Sequence, residues 1–156
     1  MKEPIKKLFL DISALPAAEP IYAKIAPVVK KRIEDRSGAV CLENQENADR
    51  KLAIFSKLPI KHKCITAQPL IGATDMERHL DGIELVVVGG ESDQNARPLD
   101  YSWVLDIREQ CIRKNVSFEF RQCGTHFIKD GKEYKLQTKD LCSQARKAGI
   151  NFKAHR

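Results

Sequence analysis

The chain has 156 residues, the size of one domain, with 42% hydrophobic and 31% charged residues, the balance of a soluble globular protein. No apolar run approaches the roughly 20 residues that span a bilayer. The first apolar patch is too short, and too soon followed by Asp11, for a signal peptide, so a soluble, cytoplasmic protein is expected.

In chain order, residues 6–12 alternate Leu8, Leu10 and Ile12 with Phe9 and Asp11, the pattern of a short strand. Residues 14–20 form a connection containing Pro and Ala. Over residues 21–36, Ile21, Ile25, Val28, Val29 and Ile33 share one helical stripe; Pro27 kinks it or starts a new helix, and Ser37-Gly38 ends it. Residues 39–42 read as a brief strand. Asn44 is placed to cap a helix that carries Ala48, Leu52, Phe55 and Leu58 on one face and stops before Pro59. Residues 63–67 are the next strand.

Residues 83–88 contain the run Leu85-Val86-Val87-Val88, continuous rather than alternating, as in a parallel strand buried on both faces. A polar loop follows from Gly89 through Pro98. Asp100 then caps a helix, with Leu99 and Val104 as a hydrophobic staple, Trp103, Ile107 and Cys111 on one face, and Asn115 in the left-handed closing position. Residues 116–121 form a strand. Asp130-Gly131 centres a hairpin over residues 127–136, and a last helix over residues 139–148 ends at Gly149.

Strands that alternate with helices predict an α/β fold with a largely parallel sheet of about five strands, a partial barrel. Polar residues collect just after the strand ends, the edge at which ligands bind in parallel α/β folds. Lys and Arg number 27 against 21 Asp and Glu, a net charge of +6 that permits contact with nucleic acid. These cations are spread along the chain in no block of five or six, as on solvated helix faces. The five cysteines, Cys41, Cys64, Cys111, Cys123 and Cys142, include no C-x-x-C pair, and reduced thiols are expected. Cys41 and Cys64 fall in expected buried strands. Cys123-Gly124-Thr125-His126 with Cys142 lacks the paired spacing of a zinc site, so no metal is expected.

An ordered series of segments resembles one family. They are Cys41-Leu42-Glu43-Asn44-Gln45 with Ala48-Asp49-Arg50; Ala67-Gln68-Pro69-Leu70-Ile71-Gly72; Val88-Gly89-Gly90-Glu91-Ser92 with Ala96-Arg97-Pro98; Trp103-Val104 with Arg108-Glu109-Gln110-Cys111; and Phe118 to Gln122 with Gly124. The hairpin Phe127-Ile128-Lys129-Asp130-Gly131-Lys132 and the run from Ser143 to Ala148 extend it. The family is a phage- and bacteria-encoded one of radical-SAM-like proteins, and the chain resembles its C-terminal half over residues 40–153. The resemblance implies a (β/α) barrel and a [4Fe–4S] cluster on three closely spaced cysteines near the family's N-terminus. This chain has no such triplet. It also carries Gln68 where the family shows Glu, and Arg121 where Lys or His is more usual. Residues 1–38 are therefore expected to be a divergent strand and helix segment, and residues 39–156 a half-barrel with a C-terminal hairpin and helix.

These considerations define a ligand-binding set at the strand ends: Glu43, Asn44, Gln68, Gly89, Gly90, Glu91, Ser92, Arg97, Arg121 and Gln122. Two glycines let the backbone approach a ligand at Glu91, whose carboxylate either accepts ligand hydrogen bonds or pairs with Arg97. Glu43 either contacts ligand or serves as a first-turn acid. Arg121 either clamps an anion or pairs with Glu91 or Glu119. Trp103 is expected in the core, and His62, His79 and His155 on the surface without partners. The expected function is that of a degenerate or truncated radical-SAM-like protein, without autonomous radical chemistry or catalytic residues. It would take no cofactor beyond a small polar, nucleotide-like ligand resembling S-adenosylmethionine. The alternatives are a basic accessory nucleic-acid-binding protein and a gene fragment without function. A half-barrel leaves sheet edges unpaired, so a homodimer, a separate chain supplying the other half, or residues 1–38 folding over an edge is expected.

Overall fold

The computed structural model describes residues 37–155. The strand expected over residues 6–12, the connection over 14–20 and the helix over 21–36 lie outside them.

Four strands form the main sheet: β1 (Ser37–Leu42), β2 (His62–Ala67), β3 (Ile83–Gly89) and β5 (Ser117–Gln122), in that spatial order and all parallel. β1 starts two residues earlier than expected. Ser37 and Gly38 pair with His62 and Lys63, and Gly38 lies so close to Ile60 that a Cβ there would be 2.8 Å from Ile60 Cδ1. A short β4 (Leu99–Asp100) joins β6 (His126–Lys129) and β7 (Lys132–Lys135) in a second sheet. The β6–β7 turn has positive φ at both Asp130 and Gly131, the hairpin turn that Asp-Gly favours.

Helix α1 (Gln45–Phe55) starts where Asn44 accepts a hydrogen bond from the Asn47 N–H. α2 (Tyr101–Arg113) is capped by Asp100, which accepts from Ser102 N–H at 2.8 Å, and closes at Asn115 with φ 52. The last helical stretch splits: a 3-10 turn over Thr138–Asp140 precedes α3 (Leu141–Lys147).

All three crossovers between successive main-sheet strands bury their apolar residues in one cluster. Ala48, Leu52 and Phe55 come from α1, Met76 and Leu80 from the β2–β3 connection, and Val104, Ile107 and Cys111 from α2. They pack on the sheet face formed by Val40, Leu42, Ile65, Val86, Val88, Phe118 and Phe120. Sequential parallel order with crossovers on one face is single winding; a doubly wound sheet reverses order and uses both faces.

The opposite face corrects two expectations. Only Val87 is buried there, outside the main cluster, while Ala39, Cys64, Thr66 and Glu119 are half-buried and Cys41 and Arg121 exposed. Burial on both faces thus holds at β3, where it was expected, but β1 and β2 are not buried strands at Cys41 and Cys64, and the alternation of β1 turns Cys41 away from the helices.

The β5 edge is covered by the chain itself. Phe118 and Phe152 exchange backbone hydrogen bonds in an antiparallel bridge, and Asn151 Oδ1 accepts from the Phe120 N–H at 2.8 Å. Arg108 Nε pins the same tail by donating to the Ile150 carbonyl. The expectation of unpaired edges thus fails at β5. Among the described residues, β1 pairs on one side only. Asn151→Ala is expected to cost about 1 kcal/mol, read from urea denaturation, by leaving the Phe120 N–H without its acceptor.

Candidate functional site at the strand carboxyl edge

Because the four strands run one way, Glu43, Gln68, Gly90, Glu91 and Gln122 emerge at the same edge. The β2–β3 connection crosses this edge and ties it together. Leu70 N–H donates to the Gly89 carbonyl and Ile71 N–H to the Glu43 carbonyl, both at 2.9 Å.

Two close approaches shape the rim. A Cβ on Gly90 would lie 2.7 Å from the Cys123 carbonyl oxygen and from Gly124 Cα, so the chains leaving β3 and β5 cross in contact. A Cβ on Gly89 would sit 3.0 Å from the Gln68 amide and 3.2 Å from Gln122 Cγ. Gln122 is committed, its amide donating to the Gly90 carbonyl at 2.8 Å. The half-buried Gln68 and the exposed Ser92 side chains make no hydrogen bond within the described residues, which leaves their polar atoms available to a ligand.

Glu91 holds the loop after β3. Its Oε2 accepts from the Arg97 N–H and Nε, and its Oε1 from Arg97 Nη2 at 2.7 Å. These bonds lower the Glu91 pKa from 4.5 to about 2, against a small opposing effect of burial. Of the two alternatives for Glu91, pairing with Arg97 is the one realised. Arg97 in turn is held protonated, mainly by Glu91, with Asp93 and Glu43 adding to the field, so the two strand-end carboxylates share one cation's neighbourhood.

Glu43 accepts from Asn47 Nδ2 at 2.8 Å and lies 3.6 Å from Lys51 Nζ. Lys51 is buried and donates to the Cys41 carbonyl, an interior cation on a helix that the apolar stripe alone does not reveal. Arg121 is exposed and ion-paired with Glu119 at 3.3 Å on the helix-free face. It thus takes the Glu119 alternative and stands apart from the Glu91–Arg97 pair.

A pH titration follows from the Glu91 geometry. A carboxylate with a depressed folded pKa stabilises fully above about 4.5, and that contribution disappears as pH falls toward 2. Amide protection factors over residues 91–97, taken relative to intrinsic exchange rates, are expected to fall across this window, and Glu91→Gln to remove the step.

The remaining expectations divide. Trp103 is half-buried against the core, as expected. The three histidines expected without partners have them. His62 Nδ1 lies 2.9 Å from Glu84 Oε1, His79 Nε2 accepts from Arg78 Nε, and the His155 ring packs on Phe152. His126 Nε2 lies 3.3 Å from Glu133 Oε2, off the line of a hydrogen bond. Burial pushes the thiols of Cys111 and Cys123 up to about 12 and about 11, with neighbouring Cys142 adding to the latter. No group of three or more His, Cys, Asp or Glu among the described residues is arranged to hold a metal, and no described helix is long and apolar enough to cross a membrane.

Sequence reasoning missed two clefts beside this edge. One, of about 760 Å³, runs between the Ser92–Ala96 loop and the Thr125–His126 and Lys135–Thr138 segments. The other, of about 460 Å³, lies between the β6–β7 hairpin and α3. The aromatic and lysine residues alternating along the hairpin were the available signal for the second.

Fold and site together define an α/β protein with a singly wound, mainly parallel sheet and a polar carboxyl edge. The chain belongs to the family described as "Protein of unknown function (DUF5131)", whose profile matches residues 26–151. No curated protein and no solved structure matches the chain.

Proposed function

We propose that the chain is a segment of a (β/α)-barrel wall of radical-SAM-like type that binds a small polar, nucleotide-like ligand across its carboxyl edge. The observation that carries this reading is single winding. Sequential parallel order with one-sided crossovers is how barrels progress, and in barrels ligands sit at the carboxyl ends of the strands. The helix-free face, bearing Thr66, Glu119 and Arg121, would then be the inner wall. Gly89 and Gly90 admit close approach, the Gln68 amide offers a donor and an acceptor, and Ser92 offers a hydroxyl. The Glu91–Arg97 clamp shapes the loop that the ligand meets.

The iron–sulfur cluster implied by the resemblance does not fit this chain's own thiols. The five cysteines are scattered in sequence, and two are buried with raised pKa values. The binding reading accordingly involves no cluster.

Thermal-shift measurement against S-adenosylmethionine, S-adenosylhomocysteine and nucleotides tests the proposal. A saturable rise in melting temperature is expected for at least one of them, lost in Gln68→Leu, whose ligand-free stability should change by no more than about 0.5 kcal/mol. Silence across the panel, or a rise unaffected by Gln68→Leu, contradicts it.

A further inference from the structure

The chain's positive charge, which looks evenly spread in the sequence, is segregated once pairing is taken into account. Of the net +6, residues 1–36 contribute +3, residues 37–128 contribute −2 and residues 129–156 contribute +5. In the first stretch, seven of eleven cations sit in ion pairs, including Arg78–Asp49, Arg97–Glu91 and Arg113–Glu77. In the second, every Lys and Arg from Lys129 to Lys153 is exposed, and none makes an ion pair among the described residues.

Three of these cations converge on aromatic surface. Phe127 lies directly opposite Tyr134, and Lys129 opposite Lys132, so one face of the hairpin presents two rings and two ammonium groups. α3 faces it with Gln144 and Lys147 across the 460 Å³ cleft. Its inner wall is a packed aromatic set: Tyr101, Phe120 and Phe127 have ring centroids 5.8 to 6.4 Å apart, and Lys129 Nζ stands 5.3 Å from the Tyr101 centroid. Tyr134 is the exposed large hydrophobic residue among those described, at 43%.

Two of these features work against stability. Like charges directly opposed across a hairpin weaken it, and an exposed ring gains little from burial. Local conflicts of this kind are expected at functional surfaces.

We propose that the β6–β7 hairpin and α3 form a binding platform for single-stranded nucleic acid. A base stacks on Tyr134 at the mouth of the cleft, while Lys129, Lys132 and Lys147 contact the flanking phosphates. Stacking on an exposed ring beside a basic groove is how sequence-tolerant single-strand binders work. A lipid surface would call for exposed aliphatic side chains, which this face lacks, and a duplex offers no unstacked base to Tyr134. The platform shares no residue with the carboxyl-edge site, so it stands or falls independently of the ligand proposed there.

Fluorescence anisotropy with labelled single-stranded DNA and RNA decamers tests the platform. Three phosphate contacts predict a log–log salt slope of about −2, so affinity should fall about 20-fold between about 50 and about 200 mM salt. Tyr134→Ala should weaken binding about tenfold with little change in slope, and Tyr134→Phe should retain it. Tyr134 is exposed on an edge strand, so both variants should fold. Lys132→Glu with Lys147→Glu should weaken binding further and flatten the slope. The same charge change at the distant exposed pair Lys57→Glu with Lys61→Glu should leave affinity within about twofold at the higher salt. No binding at low salt, equal losses from the two double variants, or duplex bound as tightly as single strands with Tyr134→Ala inert would each overturn the proposal.

Discussion

Gly90→Ala is expected to destabilise the protein by about 3 kcal/mol, visible as a lowered urea midpoint. The new methyl group would meet the Cys123 carbonyl oxygen and Gly124 Cα at 2.7 Å, and both are backbone atoms that no rotamer change can move aside. Relief requires the β3 and β5 exits to separate. That would strain the Gly90 N–H to Gln122 carbonyl bond and the Gln122 amide to Gly90 carbonyl bond together. Gly72→Ala is the matched control: its nearest neighbour would be Asn44 Cβ at 3.9 Å, an ordinary contact, and a change within about 0.5 kcal/mol is expected. Equal effects from the two variants would show that the crossing of the two loops is not tight. The crossing matters for function because it sets the starting direction of both the Glu91–Arg97 loop and the hairpin platform.

Gln110→Ala should cost about 4 kcal/mol. Gln110 is 7% exposed on the buried side of α2, and its amide satisfies two backbone groups of the β2–β3 connection. Oε1 accepts from the Met76 N–H at 2.8 Å, and Nε2 donates to the Thr74 carbonyl at 3.1 Å. Removing the amide strands both groups, each at about 1–3 kcal/mol, and opens a void beside buried Met76. Gln110→Met separates the two causes. It refills most of the volume without restoring either bond, so a loss of about 3 kcal/mol should persist if the hydrogen bonds dominate. A near-neutral methionine variant would assign the effect to packing instead. The same connection carries Gln68 and spans from Glu43 to Gly89, so ligand response at the edge should weaken in parallel.

What could be read from the sequence depended on whether the signal was local. The cap at Asp100, the cap at Asn44, the left-handed Asn115 and the Asp-Gly hairpin turn are each decided within a few residues, and each appears where expected. Strand directions followed from the alternation of strands and helices, so the edge that gathers Glu43, Gln68, Glu91 and Gln122 was legible too. Facing was not. Cys41 and Val40 are adjacent and both apolar, and only the side on which α1 packs decides which one is buried. The cover on β5 depends on Asn151 and Phe152, more than 30 residues away along the chain, in a segment too short to read as a strand. Gln110 was quoted in a motif, yet its polarity hid its interior position. At Glu91 the same residues fit a ligand contact or a salt bridge, and the spacing to Arg97 could not choose between them. The even spread of Lys and Arg along the sequence hides that most cations of residues 37–128 are ion-paired while those from Lys129 to Lys153 are not.

The central claim is that one-way strands bring the polar strand ends together as a binding edge. Amide chemical-shift mapping during titration with S-adenosylmethionine tests it most directly. The account predicts saturable shifts at Gln68, Gly89, Gly90, Glu91, Ser92 and Gln122, with Lys57 and Lys61 unmoved. Shifts confined to the amino ends of the strands, or saturation with no change at Gln68 through Ser92, would contradict it.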